Sequence, residues 1–163
     1  MLDFSMCDTG GMDDLLGSSL RLLVALIIGG LIGLNRDVYG KPTGVCLHAL
    51  VALGAALFTM TGFEIADPTA EGRIVQGIVG GVGFLGAGVI LHQHAGTAVV
   101  GLVTAASIWM TAALGVACGQ GSWKLVILAA VATLLVLGAG GQLDRALYRR
   151  LAARGDEGSE PPR

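Results

Sequence analysis

The stretch GIVGGVGFLGAGVI, Gly77 to Ile90, decides how this chain is read. Its centre, GVGFLG from Gly81 to Gly86, satisfies G-x-G-x-x-G, the turn with which dinucleotide-binding proteins hold a pyrophosphate. That turn needs a strand before it, a helix opening on it and an acidic residue about 20 positions later for the ribose. Here both flanks are apolar and helical in pattern, and Thr104 to Ser107, about 20 residues on, contains no acid. The nucleotide reading fails, and the run reads as the middle of an apolar helix.

The rest of the chain agrees. Of 163 residues, 53% are hydrophobic and 13% charged, with a mean hydropathy of +0.74. Soluble domains average roughly 25% charged residues. The charges cluster and leave five long apolar stretches, Leu15 to Leu34, Val45 to Phe63, Arg73 to Leu91, Val99 to Gly119 and Trp123 to Leu143. Each is close to the ~20 residues that cross ~30 Å of hydrocarbon as a helix. The runs are continuously apolar and do not alternate, which excludes a membrane barrel. The expected fold is an all-α membrane protein, a bundle of five transmembrane helices. The net charge of −2 gives no reason to expect a nucleic-acid partner.

Lysine and arginine placement sets the expected orientation. Arg36 and Lys41 between the first two spans, with Arg145, Arg149, Arg150, Arg154 and Arg163 in the tail, mark the cytoplasmic side. Asp3, Asp8, Asp13, Asp14, Glu64, Asp67 and Glu71 mark the outer side. This divides the chain into an outer segment (1–14), a transmembrane domain (15–143) and a cytoplasmic tail (144–163) whose polar, proline-containing end after Arg154 is expected to be disordered. The N-terminus lacks the basic start and cleavage site of a signal peptide. Cys7 and Cys118 fall on the outer side, where a bridge is open to them but not forced by spacing; Cys46 reads as a small packing residue.

Glycine dominates the third span. At 100° per residue Gly77, Gly80, Gly81 and Gly88 share one face, while Gly83 and Gly86 point the other way. Small residues let helix backbones approach closely in lipid, so the third span is expected at the centre of the bundle, packed on both sides. A hinge near Gly83 to Gly86, of the kind that lines transporter sites, is the alternative. Gly29 and Gly33 repeat the small-residue device in the first span. Gly101, Thr104, Thr111, Gly115 and Cys118 form a narrow small-and-polar seam on the fourth, with Ser107 beside it. The fifth span is bulky and aliphatic and is expected to face lipid.

Ionisable groups in hydrocarbon are functional candidates until a partner explains them. Arg21 is the deepest, with Gln76 placed at similar depth on the third span; Arg21 either snorkels outward to Asp13, Asp14 or lipid phosphate, or serves inside. At the cytoplasmic end Asn35, Arg36, Asp37, Lys41, His48 and Thr104 are expected to converge on one polar vestibule. Such a group can pair, sense pH or coordinate a hydrated cation, against the plainer reading of interfacial anchoring. Only Asp37 is a hard anionic ligand there, thin for a dedicated magnesium site, and the identity of any metal stays open. His92 and His94 offer a soft-metal pair or a solvated loop. No nucleophile and base stand at useful spacing, so no enzyme and no cofactor are expected.

Four motifs in order, GGLIGLNRD (Gly29 to Asp37), KPTGVCLHALVALGAALFT (Lys41 to Thr59), RIVQGIVGGVGFLGAGVI (Arg73 to Ile90) and GLVTAASIWMTAALGVACG (Gly101 to Gly119), resemble the MgtC/SapB family of bacterial inner-membrane proteins. The resemblance covers Arg21 to Leu143. It implies five transmembrane helices with an outer N-terminus, a place in the inner membrane, and a role in growth under magnesium limitation and, in pathogens, in survival inside host cells. It also implies action on membrane partners such as the F-type ATP synthase in place of magnesium carriage. The chain departs from the family pattern at Asn35-Arg36-Asp37, usually Glu-Arg-Glu, at Cys46, usually Arg, and at Val103, usually Thr or Asn. The soluble C-terminal domain of larger members does not fit into the residues after Leu143. The expected function is a non-enzymatic membrane regulator, with a homodimer as the expected assembly; the alternative is an ion or small-solute transporter, divalent cations included.

Overall fold

A computed structural model of the chain describes residues 10–41, 43–63, 65, 67, 69–92 and 101–156, with side chains described over this set except at 10–13, 63, 91–92 and 140–156. The described residues form helices α1 (Gly10–Val38), α2 (Val45–Phe63), α3 (Ala70–His92), α4 (Leu102–Gly119) and α5 (Trp123–Asp156). Segments Asp14–Val38, Val45–Gly62, Ala70–Ile90 and Leu102–Gly119 are long and apolar enough to cross a membrane; the apolar part of α5, Trp123–Ala139, is shorter. The fold is all-α. α5 runs past the expected boundary at Leu143 as far as Asp156, because Asp144 to Arg154 is rich in alanine, leucine and arginine, all strong helix formers.

The short connections turn on residues in the left-handed region. Gly40 (φ 60°) ends α1 and Gly121 (φ 72°) joins α4 to α5, and both conformations suit a residue without Cβ. Thr43 takes φ 71° just before α2. For a β-branched residue that is strained, by about 1–3 kcal/mol.

α4 is the centre of the bundle, touching every other helix, whereas among the described residues α3 packs only on α2 and α4. More than half of the α4 span is buried (56%), against 11% of the α3 span. The glycine-rich third helix is therefore peripheral, which reverses the sequence expectation. Among the described residues nothing outside α3 lies within 4 Å of a Cβ built at Gly77, Gly80, Gly81, Gly83 or Gly88; of the expected α3 positions Gly86 alone meets a neighbour, Ala105. Glycine permits close approach but does not cause it, and where no partner fits the face it leaves a gap. One such gap, of about 580 Å³, lies between α2 and α3 and is lined by Gly54, Gly77 and Gly81 with Phe58, Ile78 and Leu85. α3 runs as one continuous helix through Gly83 to Gly86.

The intimate contacts are elsewhere. A Cβ at Gly29 would fall 2.5 Å from the His48 carbonyl and one at Gly33 2.5 Å from Val45 Cα, locking α1 on α2. Gly115 and Gly119 bring α4 against the backbone of Ala52 and Ala56 on α2. Around them Ala25, Ala52, Ala56, Ala117, Cys118 and Val126 form a core of small side chains. On α5, Ile127, Leu128, Leu135 and Val136 are exposed, as the aliphatic composition predicts.

Candidate functional site

Three helices bring polar side chains together at the end of the bundle where α1 leads into α2. Arg36, in the last turn of α1, is buried and donates from Nη2 to Thr104 Oγ1 on α4 at 2.8 Å. One turn on, Ser107 donates its hydroxyl to the Thr104 carbonyl (2.7 Å) and faces His48 Nε2 of α2 at 3.2 Å. His48 Nδ1 faces the Gly44 carbonyl at 3.1 Å. The close seating of Gly33 on Gly44 and Val45 sets this spacing.

His48 is completely buried, and its surroundings limit its chemistry. The Gly44 carbonyl only accepts, so Nδ1 carries a proton. Nε2 of the neutral ring is then an acceptor, and the Ser107 hydroxyl stands between two acceptors, Nε2 and the Thr104 carbonyl.

Asp37 does not enter this network. Its carboxylate lies over Gly44 and Oδ2 accepts the Val45 N–H (3.1 Å), capping the N-terminus of α2. Lys41 is exposed, and its backbone N–H closes the end of α1 on the Arg36 carbonyl (3.0 Å). Asn35 is half-buried. Asn35 Oδ1, Arg36 Nε and Thr43 Oγ1 are buried with no partner among the described residues. Of the group expected to form one polar vestibule, Arg36, Thr104 and His48 come together across α1, α4 and α2 and Ser107 joins them, whereas Asp37 and Lys41 stand outside this set. Ser107 was placed beside the seam by its helical angle; its spacing of three from Thr104 is the signal that puts it inside.

At the opposite end Arg21 serves inside the bundle. It donates from Nη1 to the Gly119 carbonyl at 2.9 Å and lies against Gly121, a cation on the C-terminal carbonyls of α4. Gln76 is exposed on α3 and is not its partner. Gln120 instead ties the end of α4 to α3 through Glu71 Oε1 (2.7 Å). Thr111, buried in the seam, donates to its own helix at the Ser107 carbonyl (2.8 Å). Cys118 is a buried free thiol and Cys46 an exposed one, so Cys46 does not pack as expected; Cys7, and with it the bridge to Cys118, lies outside the described residues. Among those residues no three His, Cys, Asp or Glu side chains gather as metal ligands, and the His92 and His94 side chains lie outside them.

The chain is similar in sequence to several known proteins. Protein SrpB of Synechococcus elongatus is 44% identical over 149 residues, covering 84% of this chain and 82% of SrpB. Protein MgtC of Salmonella typhimurium is 43% identical over 130 residues, 80% of this chain and 54% of that protein. "Putative magnesium transporter YhiD" of Escherichia coli K12 is 42% identical over 139 residues, 80% of this chain and 64% of YhiD. The chain thus spans little more than half the length of Salmonella MgtC. No solved structure matches. The profile of the MgtC family matches residues 22–146, which takes in the polar cluster and the α4 seam, and the chain belongs to the MgtC family.

Proposed function

We propose that this chain is a non-enzymatic regulator in the bacterial inner membrane, active when magnesium is scarce, and that it works by docking on membrane partners such as the F-type ATP synthase. In this reading all five helices cross the bilayer, the N-terminus lies outside, and two copies associate. The observation that carries it is the apolar cleft of about 580 Å³ between α2 and α3. Lipid gives apolar helices no reason to associate, so contacts depend on shape and on small residues that admit a partner's backbone. The α3 glycines leave such a surface unfilled.

The test is co-purification from magnesium-starved membranes, with wild type against the pair Gly77→Leu and Gly81→Leu, which fills the cleft. ATP synthase membrane subunits should accompany the wild type and be lost with the variant. If the wild type is monomeric in mild detergent and brings down no synthase subunit, the reading is wrong.

A second reading, transport of an ion or small solute, draws on the buried network of Arg36, His48, Ser107 and Thr104 and on the printed name of YhiD. It requires magnesium flux into proteoliposomes that changes with His48→Ala or Asp37→Ala. Tight vesicles without flux would remove it.

A further inference from the structure

The polar groups at the α1–α2 end do not balance. Arg36 carries five N–H donors and no acceptor, is only 4% exposed, and gives its one side-chain hydrogen bond among the described residues to a neutral hydroxyl. Its Nε is buried without a partner among the described residues. Asp37, its neighbour in sequence, spends its carboxylate on the Val45 N–H, and no other carboxylate among the described residues pairs with the guanidinium. A buried cation without a counter-charge is strongly disfavoured.

The direction of the side chain adds to the imbalance. Thr104 lies in the first turn of α4, where free N–H groups form the positive end of the helix dipole. The N-cap position is Gly101, which has no side chain to offer them. A guanidinium against a helix N-terminus is repulsive unless an anion sits with both. Thr43 Oγ1 and Asn35 Oδ1 are also buried and unpartnered among the described residues; the first is a donor, and a half-turn of the amide puts the Asn35 NH2 where its oxygen stands. All three unpartnered groups can donate, and what is missing is an acceptor with negative charge.

We infer that this end of the bundle is a phosphate-binding site, with Arg36 as the anchoring fork and the first-turn N–H groups of α4 as its second wall. The planar guanidinium suits two phosphate oxygens, and Arg36 stands just inside the end of the span Asp14–Val38, the depth of lipid headgroups. The ligand is the phosphate of a phospholipid or free phosphate. The site is independent of the regulatory reading, since it rests on Arg36 and α4 and not on the α2–α3 cleft.

The full chain, labelled with ¹⁵N-arginine and purified in phosphate-free dodecyl maltoside, tests it by NMR of the arginine Nε–H groups. One arm adds inorganic phosphate against chloride at equal ionic strength; another adds dihexanoyl phosphatidylglycerol against dihexanoyl glycerol, which lacks the phosphate. The Arg36 resonance, assigned by its loss in Arg36→Gln, should move saturably, while those of Arg21 and Arg73 stay. A shift with inorganic phosphate identifies a free-anion site, and a shift with the phospholipid alone a headgroup site. Arg36→Gln should weaken binding by about tenfold or more, and Lys124→Gln, at the other end of the bundle, should not. Should Arg36→Gln fail to fold, Arg36→Lys keeps the charge without the fork and should also bind more weakly. An Arg36 signal that moves in neither arm, or equal binding by wild type and a folded Arg36 variant, overturns the site.

Discussion

Helices α3 and α4 are both built from small residues, yet one lies outside the bundle and the other is its axis. α3 has more glycine, and its positions Gly77, Gly80, Gly81, Gly83 and Gly88 meet no other helix among the described residues. α4 has fewer, but Gly115 and Gly119 face the carbonyls of Ala52 and Ala56, and Thr104 and Ser107 hydrogen-bond to α1 and α2. Smoothness therefore allows burial, and complementary alanines and polar partners bring it about. A smooth face without them is free for something outside the chain.

The largest expected effect compares equivalent insults to the two helices. Leucine at Gly115 would drive its Cβ into the Ala52 carbonyl, a backbone atom that cannot turn away. Gly115→Leu should cost about 3 kcal/mol or more, at the upper end of overpacking. Gly81→Leu, with open space at its Cβ, should stay within about 0.5 kcal/mol. Unfolding in mixed detergent micelles, followed by circular dichroism, measures both. Equal losses would mean that α3 is as tightly packed as α4 and would end the comparison.

A smaller effect separates two buried threonines within α4. Thr104 accepts from a buried guanidinium, so Thr104→Val leaves a charge with no side-chain acceptor and should cost about 1–3 kcal/mol. Thr111 is equally buried but bonds only to its own helix, and Thr111→Val should be nearly neutral because the carbonyl it releases keeps its helical bond. The same unfolding measurement distinguishes them. If the two cost the same, burial alone and not the link to α1 holds the seam.

The sequence reveals the helices more readily than their neighbours. Apolar length fixes the spans because the bilayer imposes one thickness on all of them, and the charges between spans mark where helices end. The seam on α4 is legible for a similar reason: Thr104, Thr111, Gly115 and Cys118 repeat at helical spacing. Which smooth face is buried is not legible, because that depends on the matching surface of another helix. Gly115 needs Ala52, and Gly77 has no counterpart. The candidate site divides along the same line. Arg36, His48 and Thr104 stand out as polar groups in apolar surroundings, but their partners, and the diversion of Asp37 to the Val45 N–H, exist only once α1, α2 and α4 are set side by side.

The smallest effect concerns how the two helices begin. α4 starts at Gly101 with no side-chain cap, relying on its burial, whereas exposed α3 is led in by a local turn. Asp67 Oδ1 accepts from the Thr69 N–H (2.8 Å) and the Thr69 hydroxyl (2.9 Å), and the Ala70 N–H closes on the Asp67 carbonyl (3.0 Å). The two bonds from Thr69, the backbone N–H first, hold the Asp67 carboxyl below its usual pKa. Arg73, 3.9 Å away and itself exposed, adds little. Because the folded value is depressed, the turn's contribution is present above the unfolded pKa and fades as pH falls through the folded one. Thr69→Ala should raise the Asp67 pKa toward that of a free carboxylate, read by ¹³C NMR of its side chain, and should loosen the first turn of α3 without altering α4. Thr69→Ala keeps the backbone N–H that is the larger cause, so an unchanged Asp67 titration would mean that this bond alone holds the carboxyl down. A first turn of α3 that does not loosen as pH falls through the Asp67 titration would mean that it is held by packing, as α4 is, and the distinction between a locally started and a globally held helix would fail at this point.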